Sequence, residues 1–137
     1  MEILTDGRTI TETDVVMFSY FTGDWTFLHT DMEAAKKSIF GERVAHGYLT
    51  LSVSLGLMIR SGAINSDMFM ALKSIEYVNF LKPVKINDTL RVAYNSERTL
   101  SKPGVTLVTI NAKTMNQNNE DVLKFRTSHL ERNLEEK

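Results

Sequence analysis

The chain has 137 residues, a length typical of one domain, with no room for a separate cofactor-binding domain. Hydrophobic residues make up 42% and charged residues 24%, as in ordinary globular proteins, and the formal net charge is −1. This balance gives no indication of a nucleic-acid partner or an anionic membrane surface. Because the chain contains no cysteine, disulfides, thiolate nucleophiles and cysteine-based metal sites are excluded.

No segment has the pattern of a signal peptide or of a transmembrane helix. The first residues lack a long apolar core, and a membrane-spanning helix needs roughly 20 apolar residues. The longest mostly apolar stretch, residues Tyr48–Ile59, is shorter and is interrupted by small polar residues. We therefore expect a cytoplasmic protein without a membrane partner, and the absence of cysteine fits that compartment.

The first half of the chain is predicted to be helical and irregular. Thr11 is followed by acidic residues, which is typical of a helix N-terminus because they interact favourably with the helix dipole. Gly23 ends the apolar segment that follows, and residues Asp24–His29 are predicted to form a turn. Asp31 is predicted to cap a short amphipathic helix over Met32–Ile39.

Residues Tyr48–Arg60 form the segment with the most buried character. Odd positions from 49 to 57 are all Leu or Val, an alternation that also fits a strand. The length of the segment without a turn signal favours a helix. A helix that is apolar nearly all round belongs inside the protein.

The second half is predicted to form an antiparallel meander of three or four long strands joined by tight turns. The predicted strands are Phe69–Phe80, Thr89–Leu100, Val105–Thr114 and Val122–Leu130. Residues 131–137 are predicted to be a charged tail of the single domain 1–137, with disorder as one interpretation. A sheet wrapped around the buried helix would cover the apolar surface of both, and its open edge favours dimerisation.

Asp24 and His29 form the first candidate site. On a regular helix their spacing would separate the side chains by about 140°, whereas a turn after Gly23 can bring them together. An Asp beside a His can orient the imidazole and hold a water for proton transfer. The alternative is a capping Asp and a surface His in a loop, and the spacing leaves both interpretations open.

Gly47, at the start of the apolar helix, is the second candidate. The first turn of a helix has unpaired N–H groups, and a residue without a side chain lets a ligand carbonyl approach them, as an oxyanion hole requires. The alternative is a glycine needed only for the chain reversal into the helix. His46 is predicted to hold that turn, and His129 to be a surface or sheet residue.

Three segments in chain order resemble motifs of the MaoC-like dehydratases, which include the (R)-specific enoyl-CoA hydratases. Residues 23–31 carry the Gly-Asp, His and following Asp of the family pattern Gly-Asp-x-Asn-Pro-x-His-x-Asp. Residues 40–47 match Phe-Gly-x-x-Val-Ala-His-Gly, and residues 80–89 match Phe-x-x-Pro-Val-x-x-Gly-Asp-Thr with Asn87 at the glycine. The resemblance extends over nearly the whole chain.

The resemblance implies an α+β hotdog fold, an antiparallel sheet wrapped around a long central helix, assembled as a homodimer or higher homo-oligomer. It implies interconversion of trans-2-enoyl-CoA and (R)-3-hydroxyacyl-CoA thioesters, with an acyl-CoA thioester and water as partners. Asp24 and His29 would be the catalytic pair, and Gly47 would supply a backbone N–H to the thioester oxygen. No cofactor, metal or nucleic acid is expected.

The chain departs from the family pattern at two places. Thr26 and Phe27 stand where the family has Asn and Pro, and Trp25 and Phe27 are candidate substrate-binding residues. The family's hydratases often carry a Ser on the central helix, a position that corresponds here to Leu55, with Ser54 beside it and Ser52 one turn earlier. Either the helix register differs, which makes Ser54 a further substrate-binding candidate, or this contact is absent. The alternative functions are a hotdog acyl-CoA thioesterase, against which the Asp–His spacing argues, and a non-catalytic acyl-CoA binding module.

Overall fold

A computed structural model describes residues 1–133 and contains four helices and one six-stranded antiparallel sheet within them. The helices are α1 (Glu12–Thr22), α2 (Phe27–Thr30), α3 (Met32–Lys36) and α4 (Gly47–Arg60). The strands are β1 (Ile3–Leu4), β2 (Arg8–Thr9), β3 (Phe69–Phe80), β4 (Thr89–Lys102), β5 (Val105–Met115) and β6 (Asp121–Arg132). The four long strands therefore extend over the predicted segments, with ends that differ by at most two residues.

Helix α1 begins and ends where the sequence predicts. The Thr11 hydroxyl accepts a hydrogen bond from Asp14 N at 3.1 Å, and the Asp14 carboxylate accepts one from Thr11 N at 2.8 Å. This capping box satisfies two donors that would otherwise lack partners. Gly23 ends the helix with φ 81°, a conformation that glycine adopts without steric cost.

The turn predicted over Asp24–His29 is in part helical. Residues Phe27–Thr30 form the single turn α2, with the Asp31 N–H bonded to the Phe27 carbonyl at 2.9 Å. Asp31 then caps α3 by accepting from Ala34 N at 3.0 Å, as predicted. Helix α3 ends at Lys36, before the predicted end at Ile39.

The sheet order is β1-β4-β5-β6-β3, with β2 also paired to β4. The predicted meander of three or four strands is therefore confirmed for the three strands β4, β5 and β6, and β3 is not its first member. Strand β3 pairs with β6, for example Ile75 opposite Thr127, and not with its successor β4. Alternation of apolar residues specifies which side chains share a face, but it carries no information about the neighbouring strand.

Helix α4 crosses the inner face of the sheet and forms the core with it, as predicted. Leu49, Leu57 and Met58 belong to the same buried cluster as Val108 and Phe125 of the sheet. Each buried side chain of this size contributes roughly 1.5–3 kcal/mol, which fixes α4 and therefore the residues at its start. Within residues 1–133 no helix is long and apolar enough to cross a membrane.

The predicted charged tail is wrong at its first two residues, because Glu131 and Arg132 belong to β6. Glu131 is only 1% exposed, pairs with Arg98 and accepts from Asn65 N at 3.0 Å. These partners explain how a charged residue is buried there. Residues 134–137 of the predicted tail lie outside the described residues. His129 was predicted to be a surface or sheet residue. It lies in β6 and is buried.

Candidate active site

A cleft of about 430 Å³ opens beside the first turn of α4. His29, Gly47 and Thr50 contribute to one side of it. The other walls are mainly apolar and include Leu28, Phe40, Val44, Phe80, Val84 and Val122. The cleft therefore combines an apolar lining with an imidazole and a helix N-terminus, as expected for a site that binds an organic ligand.

The structure brings Asp24 close to His29, which lines this cleft. Gly23 reverses the chain after α1, Asp24 follows it, and His29 lies on α2. The Asp24 Oδ2 and His29 Nε2 atoms are 3.9 Å apart. That distance is too long for a direct hydrogen bond, but it lets one water molecule contact both atoms. The arrangement is the one that the sequence hypothesis of an acid–base pair requires.

The Asp24 carboxylate is held by Thr26. The Thr26 hydroxyl donates to Asp24 Oδ1 at 2.6 Å, and the Thr26 backbone N–H donates to the same oxygen at 3.1 Å. The hydroxyl bond first, and then the backbone bond, lower the pKa of Asp24 below its ordinary value. Thr26 thus fixes one oxygen and favours the ionised form, while Oδ2 remains directed toward His29.

The tautomer of His29 follows from one hydrogen bond. His29 Nδ1 lies 2.7 Å from the Val44 carbonyl oxygen. A carbonyl can only accept, so Nδ1 carries the hydrogen in the neutral ring and Nε2 carries the lone pair. The basic nitrogen of His29 therefore faces Asp24 and the space between them.

His46 packs directly against His29, a contact that the sequence did not reveal. The two rings stack with centroids 3.9 Å apart and 28° between their planes. His46 is buried, and its Nε2 atom lies 2.9 Å from Ser19 Oγ and 3.4 Å from the Asp24 carbonyl oxygen. Burial, and then the neighbouring His29, lower the pKa of His46. The lowered pKa favours the neutral ring of His46.

Gly47 is the first residue of α4, and its backbone faces the cleft. The first N–H groups of a helix have no partner within it, and the His46 side chain does not cap them. A Cβ atom at position 47 would lie 2.8 Å from Cε1 of Phe80. The glycine is thus required for the contact with Phe80 as well as for access to the helix terminus.

Two other candidates lie beside the cleft without lining it. Trp25 and Phe27 are half exposed, and Trp25 packs edge-on against Tyr20 with ring centroids 6.2 Å apart. Neither side chain belongs to the cleft lining within the part of the chain that the structure describes. Their role in substrate binding stays a prediction.

Ser54 does not line the cleft among the described residues, and its role in substrate binding stays a prediction. Ser54 is fully buried between α4 and the sheet, where its hydroxyl bonds to the Thr50 carbonyl at 2.7 Å and to Thr114 Oγ1 at 2.6 Å. Its hydroxyl group is therefore engaged in the contact between α4 and β5. Thr50, one turn closer to the start of α4, is the hydroxyl residue that lines it.

Asp24, His29 and His46 place one potential ligand atom each within 4.8 Å of one another. A tetrahedral zinc with bonds of about 2.0–2.1 Å would bring neighbouring ligand atoms to about 3.3 Å. The measured separation of 3.9 Å between Asp24 and His29 exceeds that, and His46 Nε2 already contacts Ser19 and the Asp24 carbonyl. The geometry suits a shared water better than a metal ion.

The sheet wrapped around α4 is the hotdog fold, as predicted, and solved structures share it. A structure described as a monoamine oxidase regulatory protein from Archaeoglobus fulgius superposes with a TM-score of 0.90 and 37% identity, over 96% of this chain and 88% of that one. A MaoC-like dehydratase from Rhodospirillum rubrum superposes with a TM-score of 0.81 over 96% of this chain and 90% of that one. Its identity of 22% shows a common fold alone.

The model of the MaoC like domain family matches residues 1–128, and the chain belongs to this family. Protein MaoC of Klebsiella aerogenes is 41% identical over 96 residues, which are 70% of this chain and 28% of that protein. The 3-hydroxyacyl-thioester dehydratase Z of Mycobacterium tuberculosis is 30% identical over 87 residues, 64% of this chain and 58% of that protein. The chain therefore spans less than two thirds of either relative.

Proposed function

We propose that the chain is a hydratase/dehydratase that interconverts trans-2-enoyl-CoA and (R)-3-hydroxyacyl-CoA thioesters. One observation carries the proposal: Asp24 Oδ2 and His29 Nε2 lie 3.9 Å apart beside the open first turn of α4. Relatives whose names describe dehydratases of 3-hydroxyacyl thioesters and of 3-hydroxybutyryl-CoA support the same class of reaction.

The first turn of α4 binds the thioester carbonyl of the substrate. The thioester oxygen accepts a hydrogen bond from the Gly47 N–H, at the positive end of the helix dipole. Negative charge that builds on this oxygen during addition to the double bond is then stabilised by groups already oriented toward it. The apolar walls of the cleft bind the acyl chain and exclude bulk water.

Asp24 and His29 hold the attacking water and transfer its proton. His29 Nε2 accepts a proton from the water as its oxygen bonds to the β-carbon, and the imidazolium then returns that proton to the α-carbon on the same face. Asp24 stays ionised, holds the water through Oδ2 and stabilises the imidazolium. The double bond is consumed, one O–H bond breaks, and C–O and C–H bonds form, so atoms and charge balance. Dehydration follows the same steps in reverse.

The active form is a homodimer in this proposal, with β3 at the contact between two copies. Strand β3 pairs only with β6 in the described part of the chain, and its apolar side chains are exposed, including Ile75 and Tyr77 at 39% each. A long apolar edge strand pairs readily with a second strand.

Sedimentation of Ile75→Lys should give a monomer, whereas Leu100→Lys on β4 should remain dimeric. A monomeric wild-type chain would contradict the contact.

Activity is tested with crotonyl-CoA and longer trans-2-enoyl-CoA thioesters. The wild-type chain should hydrate them to the (R)-alcohol, and Asp24→Asn and His29→Asn should each lower turnover by about 10²-fold or more. Asp67→Asn and His129→Asn, outside the cleft, are matched controls that should keep turnover. Full activity in both site variants would contradict the proposal. Release of free thiol would indicate a thioesterase, and tight binding without turnover a binding module.

A further inference from the structure

His46 takes no part in the proposed chemistry, yet its ring lies directly against His29. The stacked rings are 3.9 Å apart, and Phe18 packs edge-on against His46 with centroids 4.9 Å apart. His46 is only 1% exposed and is the N-cap residue directly before α4, which the core holds in place. The ring of His29 therefore rests against a surface that cannot move independently of the fold.

The polar end of His46 connects the elements that carry the catalytic pair. Its Nε2 atom lies 2.9 Å from Ser19 Oγ on α1 and 3.4 Å from the backbone carbonyl of Asp24. Because that carbonyl can only accept, Nε2 carries the hydrogen in the neutral ring. One side chain thus links α1, the segment that carries Asp24, and, through the stacked ring, His29 on α2.

Helix capping and core packing do not explain a histidine at this position. His46 occupies the N-cap of α4 but makes no side-chain capping bond, and Asn, Asp or Ser would cap the helix better. Its Nδ1 atom is buried and has no hydrogen-bond partner within residues 1–133. An apolar ring would fill the same space without the free-energy cost of burying an unpaired nitrogen. The residue type is explained by the contacts with His29 and Asp24.

We infer that His46 is a positioning residue: its ring orients His29 by stacking, and its Nε2–H holds the Asp24 backbone, so that the two reacting groups keep the separation that a shared water needs. The kinetic part of this inference rests on the proposed function. The orientation of the His29 ring is a property of the folded chain and can be measured without substrate. Asp24 and His29 are the titratable groups that act on His46 among the described residues.

Three variants separate the two contacts. His46→Gln removes the stacked ring, His46→Phe keeps a ring but removes the Nε2–H, and Ser19→Ala removes the hydroxyl partner alone. His129→Gln is a matched control, because His129 is also buried with an unpartnered Nδ1 but lies in β6 away from the cleft. Thermal unfolding of all four variants identifies any that fail to fold.

Kinetics and imidazole nitrogen NMR are measured on the same variants. We expect His46→Gln to lower kcat by about 10- to 100-fold with a much smaller change in KM, because misplacement of a reacting group costs rates of that order. His46→Phe should recover part of the loss, and His129→Gln should keep kcat. In the wild type His29 should show the Nδ1–H tautomer, and in His46→Gln a mixture of tautomers and a shifted pH profile.

An unchanged kcat, pH profile and His29 tautomer in folded His46→Gln would overturn the inference, as would an equal loss in His129→Gln. If His46→Gln does not fold, His46→Phe and Ser19→Ala decide by the same measurements. If the wild-type chain hydrates no thioester, the proposed function fails, but a changed His29 tautomer in the variants still supports the positioning role.

Discussion

A side chain at position 47 would collide with the ring of Phe80, because its Cβ would lie 2.8 Å from Phe80 Cε1. Phe80 is the last residue of β3, and Gly47 is the first residue of α4. The end of the sheet therefore touches the start of the central helix at the cleft. The second and third motifs of the sequence meet at this contact.

Gly47→Ala should lower kcat/KM at least tenfold, because the methyl group and the displaced Phe80 ring would obstruct access to the first turn of α4. The free energy of unfolding should change by less than about 1 kcal/mol, since the Phe80 ring is half exposed and can move aside.

Gly56→Ala is the control, because position 56 lies on the same helix with no atom within 4 Å of an added Cβ. It should raise the free energy of unfolding measured by urea denaturation and leave activity unchanged. A fully active Gly47→Ala protein would show that the helix terminus is not the carbonyl site.

Thr26→Val should raise the pKa of Asp24, because the hydroxyl bond to Oδ1 is the largest cause that lowers it. In the wild type the pKa of Asp24 lies below the ordinary value of 3.8, so its carboxylate stays ionised to a lower pH. In the variant the carboxylate should gain its proton at a higher pH, which carbon NMR of the Asp24 carboxyl group measures directly. Thr26→Ser keeps the hydroxyl and should keep the wild-type titration. Identical titrations in all three proteins would exclude this role of Thr26.

Ser54→Ala should destabilise the protein by about 1–3 kcal/mol without loss of kcat, because it leaves the buried Thr114 hydroxyl without its partner. The double variant Ser54→Ala with Thr114→Val removes both groups and should recover much of the stability. Urea denaturation and turnover are measured for each. Lost turnover with unchanged stability would restore the substrate-binding role that the sequence suggested for Ser54.

Below pH about 6.5 the free energy of unfolding should decrease. Burial is the largest cause that lowers the pKa of both His46 and His129 below their ordinary value of 6.5. The unfolded chain therefore binds more protons than the folded one as the pH falls from 6.5 toward the folded-state pKa values, and stability is lost over that range. His129→Gln should flatten the dependence measured by urea denaturation. If the free energy of unfolding depends on pH equally in His129→Gln and the wild type, His129 is excluded as a cause of that dependence.

The sequence predicted the main elements because their signals are local. Gly23 stops α1, and the alternation over Val105–Met115 marks a strand whatever its neighbours are. The two strands before α1 were missed because two residues show no periodicity. The position of β3 beside β6 was missed because pairing depends on the whole chain and not on the segment.

The sequence predicted the site residues that lie within single motifs. It did not predict contacts between residues of different motifs. Asp24, His29 and Gly47 come from short segments. His29 and Gly47 line one cleft, and Asp24 lies 3.9 Å from His29. The stacking of His46 on His29 joins residues from two segments, and neither segment alone indicates it. Ser54 was assigned by counting along the helix, and the 2.6 Å contact with Thr114 shows that its side chain faces the sheet.

The pairing of β3 with β6 also has a kinetic consequence. Hairpins β4–β5 and β5–β6 close short loops, whereas β3 must find a partner from which it is separated by both other long strands. Closing a longer loop costs more chain entropy, and non-local pairing slows folding. Because Phe80 at the end of β3 and Val122 of β6 wall the same cleft, the cleft can form only after this pairing. During refolding, recovery of the proposed acyl-CoA binding should therefore lag behind the formation of secondary structure, and simultaneous recovery would contradict this order.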